Sequence, residues 1–334
     1  MRFAFEEEQH LMRDTVRDML KVECAPDKLH GAWQNNDGRI PGLWQKFAEL
    51  GILGMLVSEE HGGLAMNELD LVLVLEELGR AASPEPFLDT AVVGATLLEA
   101  CEDMDTKTRF LSGVVSGEST LSTRLGTNLY AEQATSAALI LAENAGQLDL
   151  VAPEDAKITE QVSVDGSRKI GSLSYGKANT ISVSGGALSK AWNRGVLCAA
   201  AQMLGLAGQM IELAVEYAKV REQFGKPIGT FQAVKHHMVD ALLKLEFAKP
   251  VVYRAAWSMV HDPAQADTHV SMAKLYASEA ADIAAKKSLQ VHGAIGYSYE
   301  YDLHMWMKRA WALRRTWGTD AWHRERVAKA VLDT

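Results

Sequence analysis

Apolar residues in the first hundred or so positions recur at helical spacing. Leu11, Val16 and Leu20 fall on one side of a stretch whose other side carries Arg13, Asp14, Arg17 and Asp18, the pattern of an amphipathic helix. Leu43, Trp44, Phe47 and Leu50 predict a second helix, stopped by Gly51. Residues 68–80 predict a third, broken by Ser83-Pro84-Glu85-Pro86, because proline removes a helix donor and fixes its φ. Between them an apolar run, 50–57, ends in Glu59-Glu60-His61-Gly62-Gly63. No strand precedes that glycine pair and no lysine follows it, so it reads as a turn rather than a phosphate loop. From about 119 to 187 the period shortens. Alternating runs at 138–142, 148–151 and 180–184, punctuated by Gly, Asn and Asp, predict a small β region. From about 188 the chain reads as helical again, with apolar runs over 197–220, 233–257 and 266–288 and a shorter helix near the end. Ala199, Met203, Leu206, Met210, Leu213 and Tyr217 line one face of the first of these, a stripe that reads as core.

At 334 residues the chain has room for two or three domains. Its net charge is −9, so no global basic field invites nucleic acid or an anionic membrane. Cys24, Cys101 and Cys198 are scattered, odd in number and without metal-ligand spacing; they read as reduced structural thiols, and no metal is expected. The acidic opening Met1-Arg2-Phe3-Ala4-Phe5-Glu6-Glu7-Glu8-Gln9 lacks a targeting signature. No apolar run is read as a membrane span, and the expected location is the cytoplasm.

The densest local signal is Arg221-Glu222-Gln223-Phe224-Gly225-Lys226-Pro227-Ile228-Gly229-Thr230-Phe231-Gln232. A cation and an aromatic close one helix, a proline and two glycines force a turn, and Phe-Gln opens the next helix. By themselves these residues fit either an ordinary helix connection or a place to hold a pyrophosphate. His292, in Gln290-Val291-His292-Gly293-Ala294-Ile295-Gly296-Tyr297, reads as a satisfied histidine at a helix end stopped by glycine.

The 221–232 string resembles the hallmark of acyl-CoA dehydrogenases, which are flavoproteins. The Glu-Glu-Gln opening, the Glu59–Gly63 turn and Leu78-Gly79-Arg80 with Ser83-Pro84-Glu85-Pro86 resemble the same family's N-terminal region. The segment at Gln290 is similar to its Gln-x-x-Gly-Gly-x-Gly-Tyr loop. The resemblance implies a mainly α fold: an N-terminal helical domain (1–118), a shortened middle β domain (119–187) and a C-terminal four-helix bundle (188–334). It also implies that Arg221, Gln223, Phe224, Phe231, Gln232, Gln290, Val291, Gly293 and Thr319 contact FAD. In the family the adenine-dinucleotide end of FAD lies on a neighbouring subunit, so oligomerisation is implied as well.

Two departures shape the functional expectation. The family's Thr-Glu-Pro-x-x-Gly-Ser-Asp loop and Trp-Ile-Thr strand, which clamp the flavin ring, have no counterpart. The nearest stretch, Ser119-Thr120-Leu121-Ser122-Thr123-Arg124-Leu125-Gly126, keeps none of those residues. The catalytic base is missing too. In Arg315-Thr316-Trp317-Gly318-Thr319 a tryptophan stands at the usual glutamate position, and the alternative position falls at or near Gly195. Asp320 and Glu325 lie downstream, displaced from the glutamate's place on a helix. No catalytic residue is therefore assigned. The chain resembles the short, degenerate subunit of heteromeric (α2β2) bacterial enzymes of steroid side-chain degradation. A full-length partner would supply the base and share the FAD, a bulky acyl-CoA would be the substrate, and an electron-transfer flavoprotein the acceptor. Two readings remain beside it: a stand-alone dehydrogenase with an unrecognised base, and a non-catalytic assembly or acyl-CoA-binding protein.

Overall fold

A computed structural model describes residues 4–176, 178–181, 183 and 186–332. The first six helices are α1 (Glu7–Glu23), α2 (Pro26–Gln34), α3 (Leu43–Glu49), α4 (Glu68–Arg80), α5 (Ala95–Glu99) and α6 (Met104–Ser116). Their starts follow local chemistry. Gln9 Oε1 accepts from the Glu6 amide ahead of α1, and Asn67 and Asp70 form a reciprocal capping box on α4. Gly51, at φ +73, ends the α3 turn in a conformation that glycine adopts without strain. The expected bounds of the 68–80 helix hold. A π-helical stretch, Leu88–Gly94, leads straight into α5; nothing in the apolar run from Phe87 to Leu98 announced that widening.

The middle of the chain forms two small sheets. One has the order β1 (Leu121–Arg124), β3 (Leu139–Asn144), β4 (Gln147–Val151), β7 (Asn179–Ile181), with β1 parallel to β3 and the other pairs antiparallel. The second runs β2 (Ala131–Glu132), β6 (Ile170–Tyr175), β5 (Ala156–Gln161), all antiparallel. Ile140 and Val151 pair across β3 and β4 and are buried with Ala131 and Ala134 between the sheets. The runs at 138–142, 148–151 and 180–184 correspond to β3, β4 and β7, although Ser182 and Ser184 lie outside the described residues. The β5–β6 hairpin escaped the sequence reading because most of β5 is exposed, so it carries little hydrophobic alternation.

Helix α7 (Ala187–Val220) is the axis of the rest, packed by α4, α8 (Gln232–His261), α9 (Pro263–His292) and α10 (Leu303–Arg315), with α11 (Asp320–Leu332) on α9. It is long and apolar enough to cross a membrane, yet 78% of its most apolar window is buried inside the protein, which makes it a core helix. Helix was expected from about 188 and its apolar run from 197; α7 starts at Ala187, ahead of that run, because its polar opening is paired inside the fold. Arg194 Nε lies 2.7 Å from Glu68 Oε1, and Arg194 Nη1 donates to Thr96 Oγ1 at 2.7 Å. Helix α8 likewise continues through Pro250 to His261.

The α4–α7 crossing is a backbone contact. A Cβ added at Gly205 would lie 1.9 Å from Glu76 O, and one at Gly79 would lie 2.0 Å from Gln202 O. Propensity alone favours alanine inside a helix, so Gly205→Ala separates the two effects. We expect it to destabilise the chain by about 1–3 kcal/mol, read as a lower urea midpoint with unchanged slope. A raised midpoint would show that the crossing does not need glycine.

Candidate functional site

Two places carry the expected site residues. The first is the connection from α7 to α8. Arg221 leaves the helix extended, its amide donating to Tyr217 O at 2.9 Å. Glu222–Gln223 (β8) and Lys226–Pro227 (β9) then pair as a miniature hairpin. Its two loop residues, Phe224 at φ +52 and Gly225 at φ +76, are both left-handed, the combination a two-residue type I′ hairpin requires. A phenylalanine there is costly, and this one is 91% exposed. The hairpin aims an aromatic outward at a conformational cost, with one edge contact to the Phe231 ring, centroids 6.1 Å apart. Arg221, Gln223 and Gln232 are exposed and Phe231 is half-buried under the Lys226 ammonium, 4.7 Å from its ring centroid. Among the described residues the Arg221 guanidinium has no hydrogen bond or ion pair.

The end of α9 meets this turn. Val291 is buried with Ala214, Ala218 and Met238, and Ile228, Val234 and Tyr217 pack against that cluster. One apolar cluster thus fixes the 221–232 turn beside the 290–293 turn. Gln290 and Gly293 are exposed there, and Gly293, at φ +65 and ψ −142, ends the helix in a glycine-only conformation. His292 is buried, stacked 4.5 Å from Tyr217 and tilted against Tyr301 at 4.6 Å. Its Nδ1 donates to Ser288 O at 2.7 Å and burial lowers its pKa; it stands at the helix end as expected, but only half satisfied, since its buried Nε2 finds no partner among the described residues. Thr319 is placed elsewhere. Its Oγ1 accepts from Trp322 N at 3.3 Å in the first turn of α11.

The second place is a cavity of about 540 Å³ between the π-helical stretch, the loops of the β region, α10 and the 316–319 turn. Thr319 borders it, and Trp317 is buried in its wall. Trp317 sits at φ +57 ahead of Gly318 at φ +89. Three partners hold it: its amide donates to Asn128 Oδ1 at 2.8 Å, its carbonyl accepts from His323 Nε2 at 2.8 Å, and Lys274 Nζ donates to the carbonyls of Arg314, Thr316 and Gly318. The indole packs on Trp192 with centroids 5.3 Å apart and covers Gly195. A Cβ at Gly195 would stand 2.5 Å from the Trp317 ring. Positions 195 and 317, far apart in sequence, are therefore face to face, one a hydrogen atom and the other an indole. Asp320 is bound by Arg314 at 2.6 Å and Glu325 by Lys329 at 2.8 Å; neither lines the cavity.

A carboxyl that does line it was missed by sequence reading. Asp89, in the π-helical stretch, is 6% exposed, and Thr123 Oγ1 donates to its Oδ1. Burial pushes its pKa up to about 7, with the Glu132 charge adding to the effect. Its one signal was a charge inside the apolar run 87–98. Glu132 is occupied by Arg168, whose Nε and Nη2 donate to Oε2 at 2.8 and 2.6 Å.

Residues 6–118 match the acyl-CoA dehydrogenase N-terminal domain and residues 186–332 the acyl-CoA dehydrogenase C-terminal domain. The chain is similar to acyl-CoA dehydrogenase IpdE2 of Mycobacterium tuberculosis, with 31% identity over 306 residues and 91% of each chain covered. Among solved structures it superposes on the ChsE4-ChsE5 complex from Mycobacterium tuberculosis with a TM-score of 0.90 at 23% identity, covering all of both chains. It matches the Tcur3481-Tcur3483 steroid ACAD G363A variant with a TM-score of 0.90 at 22% identity, covering 98% of each. The two structural matches establish a shared fold.

The contact between positions 195 and 317 is testable by a double-mutant cycle. Gly195→Ala should cost about 1–3 kcal/mol through overpacking, and most of that cost should vanish in a Trp317→Ala background. Additive effects would mean that the two positions do not touch. His323 gives a pH signature. Burial holds its pKa down to about 4, against about 6.5 in an unfolded chain. Between those values the unfolded chain binds the extra proton, so stability is full above about pH 6.5 and falls as pH drops towards 4. His323→Gln should flatten that slope in urea midpoints measured across the range.

Proposed function

The chain belongs to the acyl-CoA dehydrogenase family, oxidoreductases that act on acyl-CoA thioesters, and from that premise we propose that it is the short, degenerate subunit of a heteromeric, FAD-dependent member. The single observation that carries this reading is the closed contact of Gly195 with Trp317. Dehydrogenation needs a carboxylate to take the α-proton in a site with little water. Both places where the family resemblance puts that carboxylate lie in this one contact, and neither holds an acid. FAD, when bound, accepts the β-hydride.

The residues here fit one end of that cofactor and not the other. Arg221, exposed and unengaged, suits a pyrophosphate, and Phe224, Phe231, Gln223, Gln232, Gln290, Val291 and Gly293 surround it or adjoin it through the shared apolar cluster. Thr319 stands outside that group, and its proposed cofactor contact rests on the resemblance alone. The cavity, by contrast, is a poor seat for an isoalloxazine. The edges of a flavin ring are mostly hydrogen-bond acceptors, whereas Asp89 and Glu132 are acceptors when ionised and the Arg168 fork is spent on Glu132. This chain would therefore lend its 221–232 and 290–293 turns to a flavin whose ring and base lie in a full-length partner subunit. A stripe of exposed apolar residues on α8, Val239, Leu242, Leu243 and Phe247, supports assembly, since contiguous exposed apolar patches mark interaction surfaces. A steroid-type acyl-CoA as substrate is supported by the likeness to the Tcur3481-Tcur3483 steroid ACAD, with an electron-transfer flavoprotein as acceptor.

The test is a visible spectrum of the chain alone and co-purified with a full-length family member. We expect the lone chain colourless and the complex yellow; a yellow, active lone chain overturns the proposal. In the complex, Arg221→Ala should weaken flavin binding by about 1.5–3 kcal/mol, the value of a hydrogen bond to a charged group. Unchanged occupancy would remove the cross-subunit role. Trp317→Glu in the lone chain should give no turnover, because the ring seat is still missing.

A further inference from the structure

The cavity left behind is not featureless, and its lining has an order. Its volume, about 540 Å³, lies in the range of small-molecule sites. Around the opening, two loops each present a pair of exposed apolar side chains: Leu129 and Tyr130 after β1, and Val162 and Val164 after β5, with Val162 completely exposed. Single exposed apolar residues need no explanation, but four bordering one cavity do. Arg315, at the same cavity, is exposed and has no hydrogen bond or ion pair among the described residues. Inside, Leu88, Ile170, Leu313 and Trp317 supply apolar walls.

Deeper in lies Asp89. Its aim is fixed by the backbone around it: the next residue, Thr90, donates from Oγ1 to Leu121 O at 3.0 Å and accepts from Leu121 N at 2.9 Å. The π-helical stretch is thereby stitched to β1, and Thr123 of that strand donates to Asp89 Oδ1. The hydroxyl and the backbone amide of Thr123 together engage two of about four lone-pair positions on this carboxylate. The neighbouring cations are already committed, Arg168 to Glu132 and Arg309 to Asp165. A buried carboxyl with acceptor capacity left over is costly unless something donates to it.

We propose that this cavity is a ligand site of the chain's own, for an amphipathic molecule with an anionic head at Arg315, an apolar body and a distal hydroxyl that donates to Asp89. The proposal goes beyond the cross-subunit reading and does not rest on it. A plain alkyl end would bury Asp89 and return no hydrogen bond. A site built to bond a hydroxyl discriminates against the analogue lacking it far more strongly than an apolar pocket discriminates by size.

The experiment is isothermal titration of the full chain with ω-hydroxylauric acid and with lauric acid at about pH 8.5, above the pKa of Asp89, where its carboxylate is ionised. The hydroxy acid should bind about tenfold tighter or better, the effect of one hydrogen bond to a charged group, although it is the less apolar of the two. Asp89→Asn replaces one carboxylate oxygen with a donor and should bring the two affinities to within about twofold. Val162→Glu, at a fully exposed position that leaves the fold unaltered, should weaken both ligands about tenfold by placing a like charge beside the acid heads. Lauric acid binding as tightly as its hydroxy analogue, or no binding of either, overturns the proposal. A Val162→Glu variant with unchanged affinity removes the loops as the rim. Should Asp89→Asn fail to fold, the wild-type pair and the rim variant still decide the matter.

Discussion

The architecture hangs on one buried guanidinium. Arg309, on α10, bonds Asp165 and Ser167 in the β5–β6 loop and the Ser83 carbonyl beyond α4. Its side chain is 8% exposed and that of Asp165 only 1%. Two charges so deeply buried are tolerable only because nearly every donor has an acceptor. The arrangement ties three segments from three parts of the chain to one point, and all three contribute to the cavity wall or its rim. Arg194, near the start of α7, plays a similar part, joining Glu68 and Thr96. The fold is mostly hydrophobic packing in energy, but its register is set at these two cations.

Against that frame the two functional regions have opposite characters. The 221–232 turn is exposed, strained at Phe224 and backed by a small apolar cluster of its own, so it is rigid yet unfinished. The 314–318 turn is sealed. A tryptophan in the left-handed region is strained by roughly 1–3 kcal/mol, and the bonds from Asn128, His323 and Lys274 offset that strain while pressing the indole onto Gly195. One region offers groups outward and the other fills space that a reaction would need.

Much of this was legible in the sequence, and the failures have identifiable causes. The α4 bounds, the turn at 221–232, the helix end at His292 and strands β3 and β4 followed from period and punctuation. The return to helix at about 188 was legible too, but the burial of its first turns was not, because Asn193 and Arg194 look like a helix exterior until Glu68, 126 positions away, is placed opposite. The β5–β6 hairpin was invisible because β5 is mostly polar and exposed. That Trp317 stands where a glutamate would was readable from the resemblance. That it covers Gly195 was not, since the meeting depends on how two distant segments fold together. Asp89 was missed for the same reason: a lone charge in an apolar run says nothing about what faces it.

The π-helical stretch at 88–94 has a consequence for how this chain tolerates change in length. A π turn closes its hydrogen bonds one residue later than an α turn, so the segment holds a residue that an ordinary helix would not need. Deleting one residue there would relax the turn to α pitch, and the lost residue step of about 100° would cancel the wider winding, so the helix faces on either side would keep their bearing. The change would fall inside the stretch, on the residues that meet β1. The bulge is thus a local device, one that absorbs a residue without turning α5 away from the core.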